Sequence, residues 1–592
     1  MKKVTVFVFV AILLVAGAIY LGFKQFSGQF VPPKGTVPLR ISEATTIVTE
    51  PLQPDGESID FYAVLDQLCS ANADSEENGF REIVKLVGRS IFDISDGRWI
   101  IFCKKLNLNP DDPPQFHYLR LGDFLKDAVD DKSQVRQIYD ALYSAFDTPK
   151  EVSTENLELL KRWSEEMEPA VSAVAEALKK PIYVIPAMGK WSDDNDFLEE
   201  YGLDEDDFDF PYFIPGILAQ REILRMFSYR RSYRKLKNDT EYGAENWNDA
   251  LSMFRVARHT GQQPDALETA VHLEGAAAFQ ATETLKTQNF DADKLRQCLA
   301  DLESLPDLLN LTAYWDYQRF GWLKNISEFP RRGPVAFKLR TLPIPESPWV
   351  TEEEKEVFRQ VNKQVKKVIR VYRNVPFDWN IVAEIMNAEF DELQGKQTRL
   401  TIFQSNPALR KLYDETKVPE YSLDEVLALT EGSFTKVLEN SKFTAAETWK
   451  TLADEDWNVR RWQKMSIEER SVYLGKTHFA SYATPSEMFA YQSRGAVLAL
   501  DMLKTVIALQ LYKAEQGNYP ASLDALVEKG YMPEVPRDLY HKDRAALVYR
   551  IEPDGSCLLY SVGSNGIDDG GESDTSWTPG GHRRDDIAVR LK

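Results

Sequence analysis

Thr484-Pro485-Ser486-Glu487 opens the stretch whose reading decides the fold, and that stretch runs to Lys592. A hydroxyl N-cap, a proline in the first turn and a glutamate three residues on mark a helix start. Val497, Leu500, Leu503, Ile507 and Leu511 then recur at helical spacing on one face. Gln516-Gly517-Asn518-Tyr519-Pro520 stops the helix, because glycine supplies the left-handed cap and proline cannot continue it. A short second helix over Ser522 to Lys529 is predicted to end the same way at Gly530. The period then changes to two. Leu547 to Ile551 and Cys557 to Val562 flank Pro553-Asp554-Gly555, which predicts a hairpin. After a loop rich in Gly and Asp, Ile587-Ala588-Val589-Arg590-Leu591 alternates like a closing edge strand. The stretch reads as a small α+β unit.

Working outward, Ile59 to about Ser481 is helical in pattern, with interruptions. Helices are predicted over Phe213–Lys237, Trp247–Arg258, Pro264–Leu285 and Asp293–Ser304. Trp99-Ile100-Ile101-Phe102 reads as a short buried strand or a helix edge. Ala244, Trp247, Ala250, Leu251 and Phe254 are spaced in a way that resembles the first helix of a tetratricopeptide repeat. No period of about 34 residues recurs, however. The expected fold is therefore mainly α, an irregular helical bundle or solenoid-like hairpins, with the α+β domain at the C-terminus.

At the other end, Val4 to Phe23 carries no charge behind Lys2 and Lys3. At about 1.5 Å per residue it reaches one bilayer core, and the lysines favour an N-terminus inside. Ala16-Gly17-Ala18 offers the competing reading of a cleaved signal. Either way the bulk is expected outside the cytoplasm, periplasmic on a single-pass inner-membrane anchor. Prolines 32, 33, 38, 51 and 54 suggest a spacer, and Pro330 to Pro348 a linker. The division expected is an anchor over 1–28, a spacer over 29–58, a helical lobe over 59–328, a linker over 329–350, a second lobe over 351–482 and the α+β domain over 483–592.

Composition excludes some partners. A net charge of −21 and a pI near 5.0 argue against nucleic acid, which needs clustered cations. The four cysteines, Cys69, Cys103, Cys298 and Cys557, lack Cys-x-x-Cys spacing, so buried free thiols are expected, with a Cys69–Cys103 disulfide the alternative. Asp193 to Asp209 holds ten carboxylates without the Asp-x-Asp-x-Asp-Gly spacing of a calcium loop and reads as a solvated turn.

The tail resembles the soluble part of the major, G-type pseudopilins of type II secretion systems. The residues that carry this are Ala508 to Lys513, Gly517-Asn518-Tyr519-Pro520, Leu523 to Val527, Gly530-Tyr531, Pro533, Pro536-Arg537-Asp538, Tyr560 to Gly566 and Asp585-Asp586-Ile587. They cover about a sixth of the chain. The whole architecture also resembles large membrane-anchored proteins of planctomycete-type bacteria that end in a similar Tyr-Ser-Val-Gly…Asp-Asp-Gly-Gly segment. The pseudopilin leader junction does not precede Val4, so processing and polymerisation are not expected. The resemblance implies a structural calcium, Ca2+, at Asn565, Asp585 and Asp586. Asp568 and Asp569 join them as hard oxygen donors on a glycine-permitted loop, the alternative being a solvated turn with Asp-capped strand ends. Asn565 stands where the family carries Asp, and Ser573 to Arg584 reads as an insertion.

Two functions are weighed. The first is a non-catalytic, membrane-anchored scaffold or binding protein that meets envelope or secretion-system proteins. The second is an exported hydrolase, or a carbohydrate- or peptide-binding enzyme, with a pocket around Glu268 and His272, which lie four apart on one helical face with His259 upstream. Tyrosines and tryptophans of the helical region suit a sugar or peptide groove, and equally a packed core.

Overall fold

The computed structural model describes residues 30–145, 152–187, 214–237, 243–332, 363, 366–393, 411, 459–483, 487–541, 545–563, 566–572 and 586–592, apart from isolated positions within these runs. The expected anchor, the acidic stretch 193–209 and most of the expected linker lie outside them. The protein is mainly helical, with a small antiparallel three-stranded sheet at its C-terminus. It divides into two compact units. One draws on residues up to Leu68 and on Leu311–Ala490, the other on Cys69–Met188, Tyr212–Asn310 and Tyr491–Lys592.

The second unit begins with α1 (Phe61–Ser70) ending at its border and α2 (Gly79–Val87) inside it. Asn78 caps α2 by accepting from Phe80 N–H, and its amide also binds the Ala73 and Val184 carbonyls at 2.7 and 2.9 Å. One cap thus fixes a helix start and a distant segment. Helices α3 (Asp96–Lys105), α4 (Leu121–Ala128), α5 (Lys132–Ser144) and α6 (Thr154–Ala177) follow. The stretch Trp99–Phe102 is helical: Ile100 is 53% exposed and only Phe102 and Cys103 of α3 are buried, which a buried strand would not allow. Trp163 of α6 is buried and donates from Nε1 to the Leu119 carbonyl at 2.9 Å. Next come α7 (Ile214–Leu236), α8 (Gly243–Gly261), α9 (Leu267–Thr287) and α10 (Ala292–Glu303). The last two turns of α8 meet the start of α9 as a hairpin: Arg258 grips Glu274 at 3.0 and 3.1 Å, and Gly261 lies against Ala270 and the Leu308 carbonyl. A side chain at Gly261 would collide with that carbonyl, so glycine is required there. All four cysteines are buried free thiols.

The first unit is centred on aromatic packing. It contains α11 (Leu311–Arg332), α12 (Trp379–Leu393), α13 (Val459–Lys464) and α14 (Ile467–Ala483). Phe329, Trp379 and Tyr372 stack with Phe377 and Trp462, at centroid distances from 4.6 to 6.2 Å. Within the segment read as a spacer, Val37 exchanges backbone bonds with Phe377 and Trp379, and Asn387 holds the Ala44 and Thr45 carbonyls.

The C-terminal stretch follows the predicted order: α15 (Glu487–Gln516), α16 (Asp524–Glu528), β1 (Val548–Ile551), β2 (Cys557–Ser561) and β3 (Ile587–Leu591). Gly517 caps α15 at φ 84°, its N–H bonded to the Lys513 carbonyl at 2.8 Å. Gly555, at φ 82°, turns the β1–β2 hairpin. The meander is antiparallel, and every residue of the central strand β2 is buried. From Tyr491 on, the stretch belongs to the same compact unit as residues 69–188 and 212–310. Leu498, Leu503, Val506, Ile507 and Leu509 of α15 share one apolar core with Trp247, Phe254 and Leu285.

Candidate functional site

Three clusters qualify by chemistry. The first is the C-terminal loop. Asp586, just before β3, is 2% exposed and accepts N–H bonds from Gly571 at 2.6 Å and Asp569 at 3.1 Å. Burial raises its carboxyl above the ordinary value, the two N–H bonds pull it back, and the charges of Asp568 and Asp569 add to the rise. Asp568 accepts from Tyr560 Oη at 3.0 Å and from Gly570 N–H at 2.9 Å. Two carboxylates therefore pin a glycine-rich turn to the sheet. Gly571 lies against Leu558 and Tyr560 at φ +79°, which explains why the turn needs glycine. Asn565 and Asp585 lie outside the described residues. Among the described residues no three His, Cys, Asp or Glu side chains gather where a metal ion would be held. A carboxylate that accepts two N–H bonds still has lone pairs left for a cation. As placed, Asp568, Asp569 and Asp586 do not converge on one cation position, and Asp568 and Asp586 serve as acceptors for the turn.

Sequence reasoning missed a neighbouring acid. Asp538, 1% exposed, accepts from Ser561 Oγ and Val562 N–H at 2.8 Å each and from Tyr540 N–H at 2.9 Å. It ties the segment before β1 to the end of β2. Its only signal was a place in the Pro536-Arg537-Asp538 motif.

The second cluster is the α8–α9 hairpin. The His259 ring is stacked on Tyr183, with centroids 4.2 Å apart and planes at 6°, and its Nε2 is 2.9 Å from the Leu178 carbonyl. That geometry makes Nε2 the protonated, donating nitrogen of a neutral imidazole. Desolvation pushes its pKa down to about 4, opposed by the Leu178 bond and assisted by Arg255. His272 is exposed and has no hydrogen-bond partner among the described residues, while the Glu268 side chain lies outside the description. His259 and His272 are not brought together by any bond. Beside them lie buried ion pairs that sequence reasoning did not find. Asp249 holds both Arg230 and Arg234, Arg230 also reaches Glu168 at 2.8 Å, and Arg258 holds Glu274.

The third cluster is a tyrosine patch on α5 and α7, with Tyr118 from the segment before α4. Tyr139 and Tyr143, one turn apart on α5, stack at 6.1 Å and 20°, and Tyr229 of α7 meets both edge-on. Tyr143 and Tyr229 share a hydroxyl hydrogen bond of 3.1 Å. Below them Tyr118 donates to Glu222 at 2.9 Å within the core. Arg225 is partly desolvated, yet the oxygens of Tyr229, Glu222 and Tyr143 raise its pKa above the usual value. No sequence signal assembles this patch, because its members come from two helices and a segment distant from each other in the chain.

Comparison with protein-family models, with curated proteins and with solved structures finds no match to this chain.

Proposed function

We propose that the protein is a membrane-anchored extracytoplasmic scaffold or binding protein, non-catalytic, with a C-terminal domain like that of the type II secretion pseudopilins. Residues 4–23 form its single-pass inner-membrane anchor, N-terminus inside, and the body meets envelope or secretion-system proteins. Asn565, Asp568, Asp569, Asp585 and Asp586 hold a structural calcium that stiffens the loop before β3.

The observation that supports this reading best is the order of the C-terminal stretch. A long helix stopped at Gly517, a short helix, a three-stranded meander and a glycine-rich turn held by Asp586 follow one another as the resemblance implies. In the helical body His259 is stacked on Tyr183 and donates Nε2–H to the Leu178 carbonyl, so packing accounts for this residue without a catalytic role.

The test is a pair of C-terminal reporter fusions, alkaline phosphatase and green fluorescent protein, with carbonate extraction of membranes. Phosphatase activity, loss of fluorescence and retention in the membrane pellet are expected. A fluorescent C-terminus, or release by carbonate, would overturn the reading.

A further inference from the structure

We propose that the tyrosine patch of α5 and α7 binds a neutral oligosaccharide, with the ring of Tyr143 as its stacking platform. This deepens the binding-protein reading above and rests on it for the place where the ligand is met.

The first argument is exposure combined with fixation. Tyr143 is 64% exposed, whereas its partner Tyr229 is 5% exposed. An exposed aromatic side chain ordinarily samples several rotamers. This one is stacked on Tyr139, braced edge-on by Tyr229 and tethered through its hydroxyl at 3.1 Å. Little rotamer freedom remains to be lost on binding, which is how preorganisation raises affinity. Core packing does not account for a ring held in place while facing water.

Charge supplies the second argument. Glu222 faces Arg225 at 3.5 Å, and Asp123, on the turn beside Tyr139, is matched by Arg120 at 2.7 Å and Lys126 at 3.0 Å. Glu222 and Asp123 thus already have cations and leave no free charge to select an ammonium. Arg225 keeps half of its side chain in solvent and retains donors beyond its contact with Glu222. Around the exposed Tyr143 ring there are thus guanidinium and phenol donors together with carboxylate and phenol acceptors. A sugar ring has a matching form: a face of C–H groups and a rim of hydroxyls that both donate and accept. An apolar peptide side chain would instead need a dry concavity.

The experiment is calorimetric titration of the detergent-solubilised full chain with chitotetraose, cellotetraose and maltotetraose. At least one is expected to bind with Kd of ~1 mM or tighter. Tyr143→Ala is expected to weaken that binding about tenfold, and Tyr143→Phe to keep it within about threefold. Circular dichroism melting of each variant reports that it is folded at the titration temperature. Absence of binding by all three sugars, or unchanged binding by folded Tyr143→Ala, would overturn the proposal. The titration is independent of cellular location, so its failure and that of the reporter fusions are distinguishable.

Discussion

Lowering the pH from 7 to 4 is expected to destabilise the second unit through one imidazole. The His259 pKa lies at about 4 in the folded chain, against about 6.5 for a free imidazole. Between these values the unfolded chain binds a proton that the folded one does not, so stability rises with pH across the window. The contribution is fully present above about pH 6.5, falls as pH drops, and is exhausted near pH 4, where both states are protonated. The 2.5-unit difference corresponds to about 3 kcal/mol. Carboxylates titrate in the same range, so the readout is a difference between proteins. His259→Phe keeps a ring against Tyr183, loses the bond to Leu178 at a cost of about 1 kcal/mol, and cannot titrate. Urea unfolding followed by tryptophan fluorescence at pH 4 to 7 should therefore show a shallower pH dependence for the variant. The wild type, about 1 kcal/mol ahead at pH 7, should fall below the variant as the pH approaches 4. Parallel profiles would refute the assignment, because the imidazole would then titrate alike in both states.

Four further outcomes are expected. Gly571→Ala should lower stability by about 2 kcal/mol in urea melts, since a Cβ there lies 2.6 Å from Leu558 Cδ2 at a positive φ. Arg258→Ala should destabilise by about 3 kcal/mol, because Glu274, 1% exposed at its side chain, is left buried without its cation; Glu274→Gln, which removes the buried charge itself, should be milder. Calcium should raise the full chain's melting midpoint over that in chelator, and Asp586→Asn should reduce the rise; no shift at millimolar calcium removes the ion from the account. A chain ending at residue 483 should lose part of its near-UV circular dichroism and become sensitive to protease across 69–310, because α15 contributes to that core; a protected fragment from 69–310 would count against the shared core.

Where the determinants are local, the fold was legible. Gly517 and Gly555 adopt the positive φ that their motifs require, and β3 begins where the alternation of Ile587 to Leu591 begins. Trp99–Phe102 was ambiguous because four apolar residues suit either period, and only the burial of Phe102 and Cys103 but not Ile100 decides it. The candidate sites were legible as residue types and not as roles. Composition marks Asp568, Asp569 and Asp586 as oxygen donors, but which of them accepts N–H bonds depends on where the turn crosses the sheet. Asp538 and the tyrosine patch depend on contacts between segments distant in the chain, for which a single sequence carries no periodic signal.

The same distinction decides how α15 is read. Gly495–Gln516 is long and apolar enough to cross a membrane by length and composition, and 61% of its most apolar window is buried inside the protein. Hydropathy alone cannot separate a membrane span from a core helix, because both exclude water. The polar side chains can. Gln510 donates from Nε2 to the Leu285 carbonyl at 2.7 Å, near the end of α9. Glu515 pairs with Arg296 of α10, and Lys513 reaches the Lys592 carbonyl at 2.7 Å. Lipid tails offer such groups no partners. Each polar group instead meets a partner in the unit whose core also takes Leu503 and Ile507. A helix that would be a membrane anchor by composition is thus accounted for as the central core helix of a unit assembled from three separate stretches of chain.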